Sequence, residues 1–382
     1  MNFDDIDITE LRSRQGEKWQ TYPSDVLAVW VADMDFPPAE PIRRTLAQML
    51  EVSDLGYPVN PQPSDLPTVF AERAERRYAW KVDPRQVEVM TEVVQGLYTG
   101  VLQFSEPGDG VVIQTPIYPP FLHAAAETGR RALTSGYVQG DAGFEIDFDQ
   151  LASLGSQGGR VFLFCNPHNP TGRVLRRDEL ERVAQIAIAN DWIVISDEIG
   201  ADLVYSGHRH IPIASLGPEI EARTITLMSA SKAFNIAGLR CAVAIFGTDT
   251  LKERFNALPR HIRGGLGSLG LRATRVAWED CDEWPEAVLV YLKANRDFVA
   301  DFLRAEIPAI RHFSPEGTYL AWFDCRALEL GDNPASHFLK KGRVALSSGP
   351  AFGEEGKGFA RLNFATSRKL LTEALERVAN SL

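Results

Sequence analysis

The chain has 382 residues, of which 45% are hydrophobic and 24% are charged. This composition is typical of a soluble globular protein and excludes intrinsic disorder, and the length predicts about two domains. The sequence lacks the run of roughly 20 apolar residues that a membrane-spanning helix needs, and its acidic, polar N-terminus is not a secretion signal. The net charge of −11 argues against nucleic acid or an anionic membrane as a partner, because both bind basic surfaces.

Cysteines and histidines show no spacing that is typical of a metal site. The chain has four widely separated cysteines and no CxxC pair: Cys165, Cys241, Cys281 and Cys325. This usage predicts free thiols in a reducing cytoplasm. His208 and His210 are the nearest pair of histidines, but they stand in a polar loop, and we expect no metal there.

The first 40 or so residues are predicted to form an arm. It contains one short helix at 9–15 and the apolar stretch VLAVWVADMDFPP, which ends in two prolines. Apolar residues at helical spacing predict two further helices, at 40–51 and 63–78.

From residue 87 the pattern changes to short β-rich runs that alternate with helical segments, most clearly at 176–190. The predicted strands are 87–90, 111–115, 130–133, 161–165, 192–196, 224–229 and 241–246. Continuous apolar strands that alternate with helices are typical of a mostly parallel sheet covered on both faces, which is an α/β fold.

The last hundred residues have a different pattern, which predicts a smaller α+β domain. A long helix at 284–305 precedes strands at 318–324, 343–348 and 361–365 and a terminal helix at 369–379. We expect the N-terminal arm to pack onto this domain. The predicted division is therefore an arm and part of the small domain at 1–50, a large domain at 51–284 and the small domain at 285–382.

Reactive side chains follow four of the predicted strands. Tyr118, Asn166, Asp197 and Lys232 each come shortly after a strand, and ligands bind beyond the carboxyl ends of strands in open parallel sheets. Taken singly, Asn166 could be a turn former, Asp197 a helix cap and Lys232 a solvated surface lysine. Four such side chains at the ends of predicted strands together indicate a shared ligand crevice.

The motifs around these residues resemble a known superfamily. NPHNPTG (166–172), SDE (196–198), SASKAFNIAGLR (229–240) and NFATSR (363–368) are similar to the motifs of fold type I pyridoxal-phosphate enzymes, the aminotransferase class I/II superfamily. WVADMDF, GYP, PIYPPF and SDEIGADLVY resemble its cystathionine β-lyase branch, typified by the MalY and PatB proteins. The resemblance implies a large domain with a mostly parallel seven-stranded sheet between helices, a smaller α+β domain and pyridoxal 5′-phosphate (PLP) as cofactor.

The resemblance also implies residue roles. Lys232 would bind the cofactor aldehyde covalently and act as the general base, Asp197 would favour the charged ring nitrogen, and Tyr118 would stack on the ring. The other implied cofactor ligands are Asn166 at the phenolic oxygen, Gly96, Leu97, Ser229, Ser231 and Arg240 at the phosphate, and Tyr57 at the phosphate of a neighbouring subunit. Gly96 and Leu97 are expected just before a helix start, where backbone N–H groups bind anions. Ser231 has a helix cap as its alternative role.

For the substrate, the resemblance implies that Arg368 binds the α-carboxylate through a two-pronged contact, with Arg361 as the alternative. Ala32 is expected to lie against the substrate by its backbone, and Asn166 and Gly200 are expected to border it. Gly200 departs from the branch, which has histidine there. We expect its missing side chain to leave a hole that could admit a bulky substrate or change how the quinonoid is protonated, with neutral drift as the alternative.

These features predict a β-lyase that cleaves S-substituted L-cysteine to a thiol, pyruvate and ammonia. Three alternatives remain open at this point: an aminotransferase, a decarboxylating or oxidatively deaminating enzyme acting on a cysteine conjugate, and a regulatory binding protein on the same fold. The resemblance further implies a homodimer with active sites at the subunit interface. The RQGEKW segment (14–19) departs from the family pattern and gives no indication of how substrate enters.

Overall fold

Helices and strands alternate along most of the chain. The computed structural model describes residues 3–58, 65–140, 143–259 and 261–382. The α-helices in these ranges are α1 Ile8–Ser13, α2 Glu17–Gln20, α3 Glu40–Glu51, α4 Leu66–Tyr78, α5 Val93–Phe104, α6 Pro119–Glu127, α7 Phe148–Ser153, α8 Arg177–Ala189, α9 Pro218–Glu221, α10 Asp249–Asn256, α11 Ser268–Asp280, α12 Glu283–Glu306, α13 Pro334–His337 and α14 Arg368–Asn380. The strands are β1 Leu27–Ala28, β2 Val87–Met90, β3 Gly110–Thr115, β4 Arg131–Gln139, β5 Phe144–Ile146, β6 Gly159–Cys165, β7 Ile193–Asp197, β8 Thr224–Met228, β9 Ala242–Phe246, β10 Arg311–His312, β11 Leu320–Asp324, β12 Val344–Ala345, β13 Ser347–Ser348 and β14 Phe359–Asn363.

The large sheet has the order β2-β9-β8-β7-β6-β3-β4-β5. The five central strands from β8 to β4 pair in parallel, whereas β9 is antiparallel to both of its neighbours. The prediction of a mostly parallel sheet between helices is confirmed. An eighth strand, β5, pairs with the edge strand β4, and it escaped prediction because it has only three residues.

Alternate side chains of the central strands enter two separate cores. Val111 and Ile113 of β3 pack on one face with apolar residues of α5, α6 and α10. Val112 packs on the opposite face with residues of α7 and α8. The strands read as continuous apolar runs because both faces of the sheet are covered.

A second, antiparallel sheet has the order β10-β11-β14-β13. The N-terminal segment reaches this part of the chain, because β1 pairs in parallel with β12. Apolar residues of α12 and α14 pack in the same core as Leu27 and Val29 of this segment. The predicted boundaries at 50/51 and 284/285 fall inside α3 and α12, and the division into domains stays a prediction.

Among the described residues, no helix is both long enough and apolar enough to cross a bilayer.

Candidate active site

Three of the predicted site residues follow adjacent strands of the large sheet. Asp197 is the last residue of β7, and its register partners are Cys165 on β6 and Leu227 on β8. Asn166 directly follows β6, and Lys232 comes four residues after the end of β8. The carboxyl ends of these parallel strands therefore bring an amide, a carboxyl group and an amine to one edge of the sheet.

Lys232 lies in a turn that a serine hydroxyl stabilises. Ser229 Oγ donates to the carbonyl oxygen of Cys241 at 2.6 Å and accepts from the N–H of Ser231 at 3.0 Å. Lys232 Nζ donates to the carbonyl oxygen of Ala32 at 3.0 Å and lies 3.7 Å from Asp33 Oδ1. Burial lowers the pKa of Lys232, and Asp33 opposes this shift. A lowered pKa increases the fraction of neutral amine, which is the nucleophilic and basic form.

The loop that carries Ala32 is fixed from the second sheet. Besides Lys232, the phenolic hydroxyl of Tyr319 donates to the carbonyl oxygen of Ala32 at 2.6 Å. Asn363 Nδ2, at the end of β14, donates to the carbonyl oxygens of Val31 at 2.6 Å and Asp33 at 2.7 Å. The carbonyl oxygen of Ala32 thus lies at the lysine amine, and its contact with substrate stays a prediction.

Asp197 is a buried carboxyl group. Its Oδ1 accepts from the N–H of Ile199 at 3.0 Å. Burial raises the pKa of Asp197 to about 7, while the hydrogen bond from Ile199 and the charge of Lys232 act in the opposite direction. A cationic group beside this carboxyl would favour its ionised form.

The neighbouring Glu198 belongs to a separate buried network. Its Oε2 lies 2.7 Å from His210 Nε2, and its Oε1 accepts from Ser196 Oγ at 2.8 Å and from the N–H of Ile213 at 3.2 Å. These contacts fix the segment after β7, and the charge of Glu198 contributes to the raised pKa of Asp197.

Two asparagines of NPHNPTG occupy different environments. Asn166 is buried: its Oδ1 accepts from the N–H of Leu175 at 3.0 Å, and its Nδ2 has no partner among the described residues. Asn169 is half-buried, and its carbonyl oxygen accepts from the N–H of Tyr118 at 3.2 Å. Its side-chain oxygen accepts from Arg361 Nη1 at 2.8 Å. Sequence reasoning missed Asn169, although it is the second asparagine of the quoted motif.

Arg361, rather than Arg368, is the arginine that the fold brings to the crevice. It lies on β14, and besides Asn169 its guanidinium contacts the carbonyl oxygen of Trp30 and Ser347 Oγ, both at 3.1 Å. The positive charge of Arg361 acts to lower the pKa of both Tyr118 and Lys232. Burial lowers the pKa of Arg361 itself to about 10, and its Nε has no partner among the described residues.

The predicted role of Arg368 requires correction. This residue begins α14, where its Nε donates to Asn295 Oδ1 at 3.0 Å and its guanidinium lies 4.3 Å from the centroid of the Phe298 ring. These partners belong to α12 and not to the crevice. The physical reason is that β14 ends at Asn363, so that the chain has left the sheet before it reaches Arg368.

The expected helix start at Gly96 and Leu97 also requires correction, because α5 begins at Val93. The N–H of Gly96 already donates to the carbonyl oxygen of Glu92, and Leu97 is fully buried in the core. Gly96 instead permits close packing, since a Cβ there would come within 2.7 Å of the side chain of Leu227. The N–H groups without helical partners are those of the first turn, residues 93–95.

The remaining predicted phosphate ligands lie near this helix start or on the surface. The hydroxyl of Ser229 is occupied by backbone groups, and Ser231 is half-buried. Arg240 is exposed and donates to the carboxylate of Glu92, the N-cap residue of α5. Tyr57 is fully exposed. Arg240 and the N-terminus of α5 together offer positive charge and free N–H groups, which suit an anion.

Gly200 lies against the proline that follows Asn166. It is buried, and a Cβ placed on it would contact three ring atoms of Pro167 at 3.4 Å. This is an ordinary van der Waals separation, so the expectation of extra space for a bulky substrate at this position stays a prediction.

Comparison with known proteins identifies the family. The model of the aminotransferase class I and II family matches residues 33–378. The chain belongs to this family. Within it, the chain is 34% identical to cystathionine β-lyase PatB of Bacillus subtilis, and the match covers all of both chains.

Solved structures of the same family have closely similar folds. The PLP-bound C-S lyase of Staphylococcus hominis is 32% identical, with a TM-score of 0.93 over 100% of this chain and 98% of that one. The structure of OvoB is 38% identical, with a TM-score of 0.92 over 100% and 99% of the two chains. The resemblance to the PatB branch that the sequence motifs indicated is confirmed.

The residues present fit PLP. The site combines an amine of lowered pKa, a buried carboxyl group, the aromatic ring of Tyr118 and a basic helix N-terminus, which are the groups that an aldehyde, a pyridine nitrogen, a π-face and a phosphate require. Asn166 Nδ2 and Arg361 Nε are buried donors that have no protein acceptor among the described residues, so each remains available to a ligand.

Proposed function

We propose that this protein is a PLP-dependent C-S lyase that converts an S-substituted L-cysteine and water into a thiol, pyruvate and ammonia. The observation that carries the proposal is the meeting of Lys232, Asp197 and Arg361 in one crevice of a chain that matches cystathionine β-lyase PatB over its full length. PLP, when bound, supplies the electron sink that makes the Cα–H and Cβ–S bonds cleavable.

The protein supplies placement and proton transfer. Lys232 would hold the cofactor, and its amine would take the proton from the substrate Cα. Its lowered pKa suits that task because a neutral amine is required. Asp197, at the strand end, would stabilise positive charge on the ring nitrogen, and Tyr118 would supply an aromatic ring for stacking.

Arg361 is proposed to bind the substrate carboxylate. It is buried, it is fixed by Asn169, Ser347 and the carbonyl oxygen of Trp30, and its charge is close enough to affect Lys232. A planar guanidinium fixed in this way can present two N–H groups to a carboxylate. Cα would then face the amine that removes its proton.

The phosphate is proposed to bind at the first turn of α5 beside Arg240, with help from Ser231. The first-turn N–H groups and the charge of Arg240 provide donors at this place. Tyr57 is proposed to reach the same group in a second subunit, since its side chain is fully exposed in the single chain.

A homodimer is the proposed assembly. Leu50, Val52, Leu55 and Tyr57 form an exposed run of large apolar side chains at the end of α3 and just after it, and such runs are typical of interfaces. A cytoplasmic location is proposed because all four cysteines are buried free thiols, as a reducing compartment would keep them.

The test is a product assay with L-cystathionine and a panel of S-substituted cysteines, with no 2-oxo acid added. Equal amounts of pyruvate and thiol support the lyase, and Lys232→Ala should abolish both products. Turnover that requires a 2-oxo acid would instead identify an aminotransferase, and release of carbon dioxide or uptake of oxygen would identify decarboxylating or oxidative chemistry. Bound PLP without any turnover would favour a regulatory protein.

A further inference from the structure

A carboxylate stands at the anion site formed by α5 and Arg240. Glu92 is the N-cap residue of α5, and its side chain accepts a hydrogen bond from Arg240 Nη1. The two side chains are 41% and 61% exposed, so that both remain accessible from solvent. The charge of Arg240 is therefore engaged by a side chain of the same site.

The carboxylate of Glu92 does not cap its own helix. Its backbone is extended, with φ −163° and ψ 158°, and its side chain makes no capping hydrogen bond to the first turn. The N–H groups of Val93, Val94 and Gln95 therefore keep their capacity to bind a ligand. A helix of 12 residues also directs the positive end of its dipole to this point.

Close packing brings this helix terminus to the lysine turn. Gly96 lies against Leu227 of β8 with no room for a Cβ, and β8 leads directly into Ser229, Ser231 and Lys232. A phosphate on a cofactor joined to Lys232 would therefore meet the first turn of α5, Arg240 and the carboxylate of Glu92. This step rests on the proposed function.

We propose that Glu92 competes with the cofactor phosphate for Arg240, and so weakens the affinity of this protein for PLP. A guanidinium satisfies one planar anion best, and phosphate and carboxylate repel each other when both approach it. Binding of the phosphate then requires the Glu92–Arg240 ion pair to break or to be shared. The cofactor is consequently held less tightly than the other groups of the site would allow, and it exchanges with free PLP.

The direct test measures PLP affinity and not activity. The full-length protein is freed of cofactor and dialysed to equilibrium against PLP, and bound cofactor is measured by its absorbance. Glu92→Gln keeps the length and the hydrogen-bond acceptor of the side chain but removes its charge. We expect PLP to bind about fivefold more tightly, since an exposed ion pair of this kind contributes at most about a factor of five. The gain should shrink as salt is added.

Two further single variants and one double variant make the comparison specific. Glu286→Gln removes the charge of an exposed carboxylate that pairs with Arg77 at 3.0 Å outside the site, and it should leave PLP affinity unchanged. Arg240→Gln should weaken binding. In the Arg240→Gln background, Glu92→Gln should strengthen binding less than it does in the native protein.

The outcomes separate this inference from the proposal that it rests on. If Arg240→Gln leaves PLP affinity unchanged, both the placement of the phosphate and the competition are wrong. If Arg240→Gln weakens binding while Glu92→Gln fails to strengthen it, the placement stands and the competition alone is overturned. A gain of the same size in Glu286→Gln would also overturn it, because the effect would then be one of net charge.

Discussion

Arg361 and Arg368 stand seven residues apart in sequence, but they have different neighbours. Arg361 is buried beside Asn169 and Tyr118, whereas Arg368, at the start of α14, packs against Phe298 of α12. The difference follows from the end of β14, which turns the chain out of the sheet. The two arginines therefore provide a matched pair for testing substrate binding.

We predict that Arg361→Lys raises KM for an S-substituted cysteine about tenfold or more, because one ammonium cannot replace a two-pronged contact. Arg368→Lys should change KM by less than about twofold, because this side chain lies outside the crevice. Steady-state kinetics at saturating PLP measures both. Equal effects in the two variants would contradict the assignment of Arg361.

Asp197 predicts an unusual pH dependence of stability in the cofactor-free protein. Its pKa is raised from 3.8 to about 7 by burial, so the folded protein holds this proton more tightly than the unfolded chain does. Stability is therefore highest below about pH 4 as far as this group is concerned, and it is lost progressively as pH rises to about 7.

Asp197→Asn should remove that loss. The variant should be more stable than the native protein by roughly 2–4 kcal/mol above pH 7, and the advantage should disappear as pH falls towards 4. Thermal unfolding of the two cofactor-free proteins between pH 4 and pH 8 measures the difference. An advantage that stays constant with pH would show that Asp197 is ionised throughout.

At the scale of elements, the short helix α2 holds the loop that carries Ala32. Lys18 is buried on this helix, where its Nζ lies 2.9 Å from Asp35 Oδ1 and donates to the carbonyl oxygen of Asp33 at 3.0 Å. The indole N–H of Trp19 donates to the same carboxylate at 2.9 Å. The segment RQGEKW, which gave no functional indication in the sequence, is thus a fixed part of the site wall.

We predict that Lys18→Met destabilises the protein by about 3 kcal/mol, because it leaves the buried carboxylate of Asp35 without its cation. Lys18→Met with Asp35→Leu should cost less than the single change. Thermal unfolding with PLP bound measures both losses. A single variant as stable as the native protein would show that Asp35 is neutral or hydrated.

The sequence predicted elements better where the pattern is local. The buried strands of the large sheet and Lys232, Asp197 and Tyr118 at their ends follow from apolar runs and from what comes after them. The start of α5 did not, because its N-cap residue is Glu92, which is not a typical capping residue and makes no side-chain capping hydrogen bond. All five residues of β14 are buried, so alternation could not indicate the direction of Arg361.

The contacts that sequence reasoning missed join distant parts of the chain. Asn169 meets Arg361, and the carbonyl oxygen of Ala32 meets Lys232. A backbone carbonyl is present in every residue, so the sequence does not mark the one that meets Lys232. The contact between Asn169 and Arg361, which are far apart in sequence, depends on how the two sheets meet. Such contacts could be found only in the structure.

At the scale of the whole molecule, the proposed dimer predicts shared active sites. Tyr57→Ala and Lys232→Ala should each be poorly active at limiting PLP. In a mixed dimer, one site combines an intact Lys232 from one subunit with an intact Tyr57 from the other. Co-expression of the two variants should therefore restore up to about a quarter of native activity.

Light scattering of the purified native protein first establishes whether it is a dimer. Activity in the mixture that equals the sum of the two separate variants would contradict the exchange of Tyr57 between subunits. The matched control is a mixture of Lys232→Ala and Arg361→Ala. Each subunit supplies both residues to its own site, so each of the two sites in a mixed dimer carries one of the changes and no activity should be restored.

The hydrogen bonds that fix the loop around Ala32 have a consequence for biosynthesis. Asn363 and Tyr319 hold this loop, and Lys232 reaches it from the middle of the chain. A growing polypeptide lacks the later two residues until translation is nearly finished. PLP can therefore bind in the completed site only after the chain leaves the ribosome. Truncated chains that lack Asn363 should remain colourless.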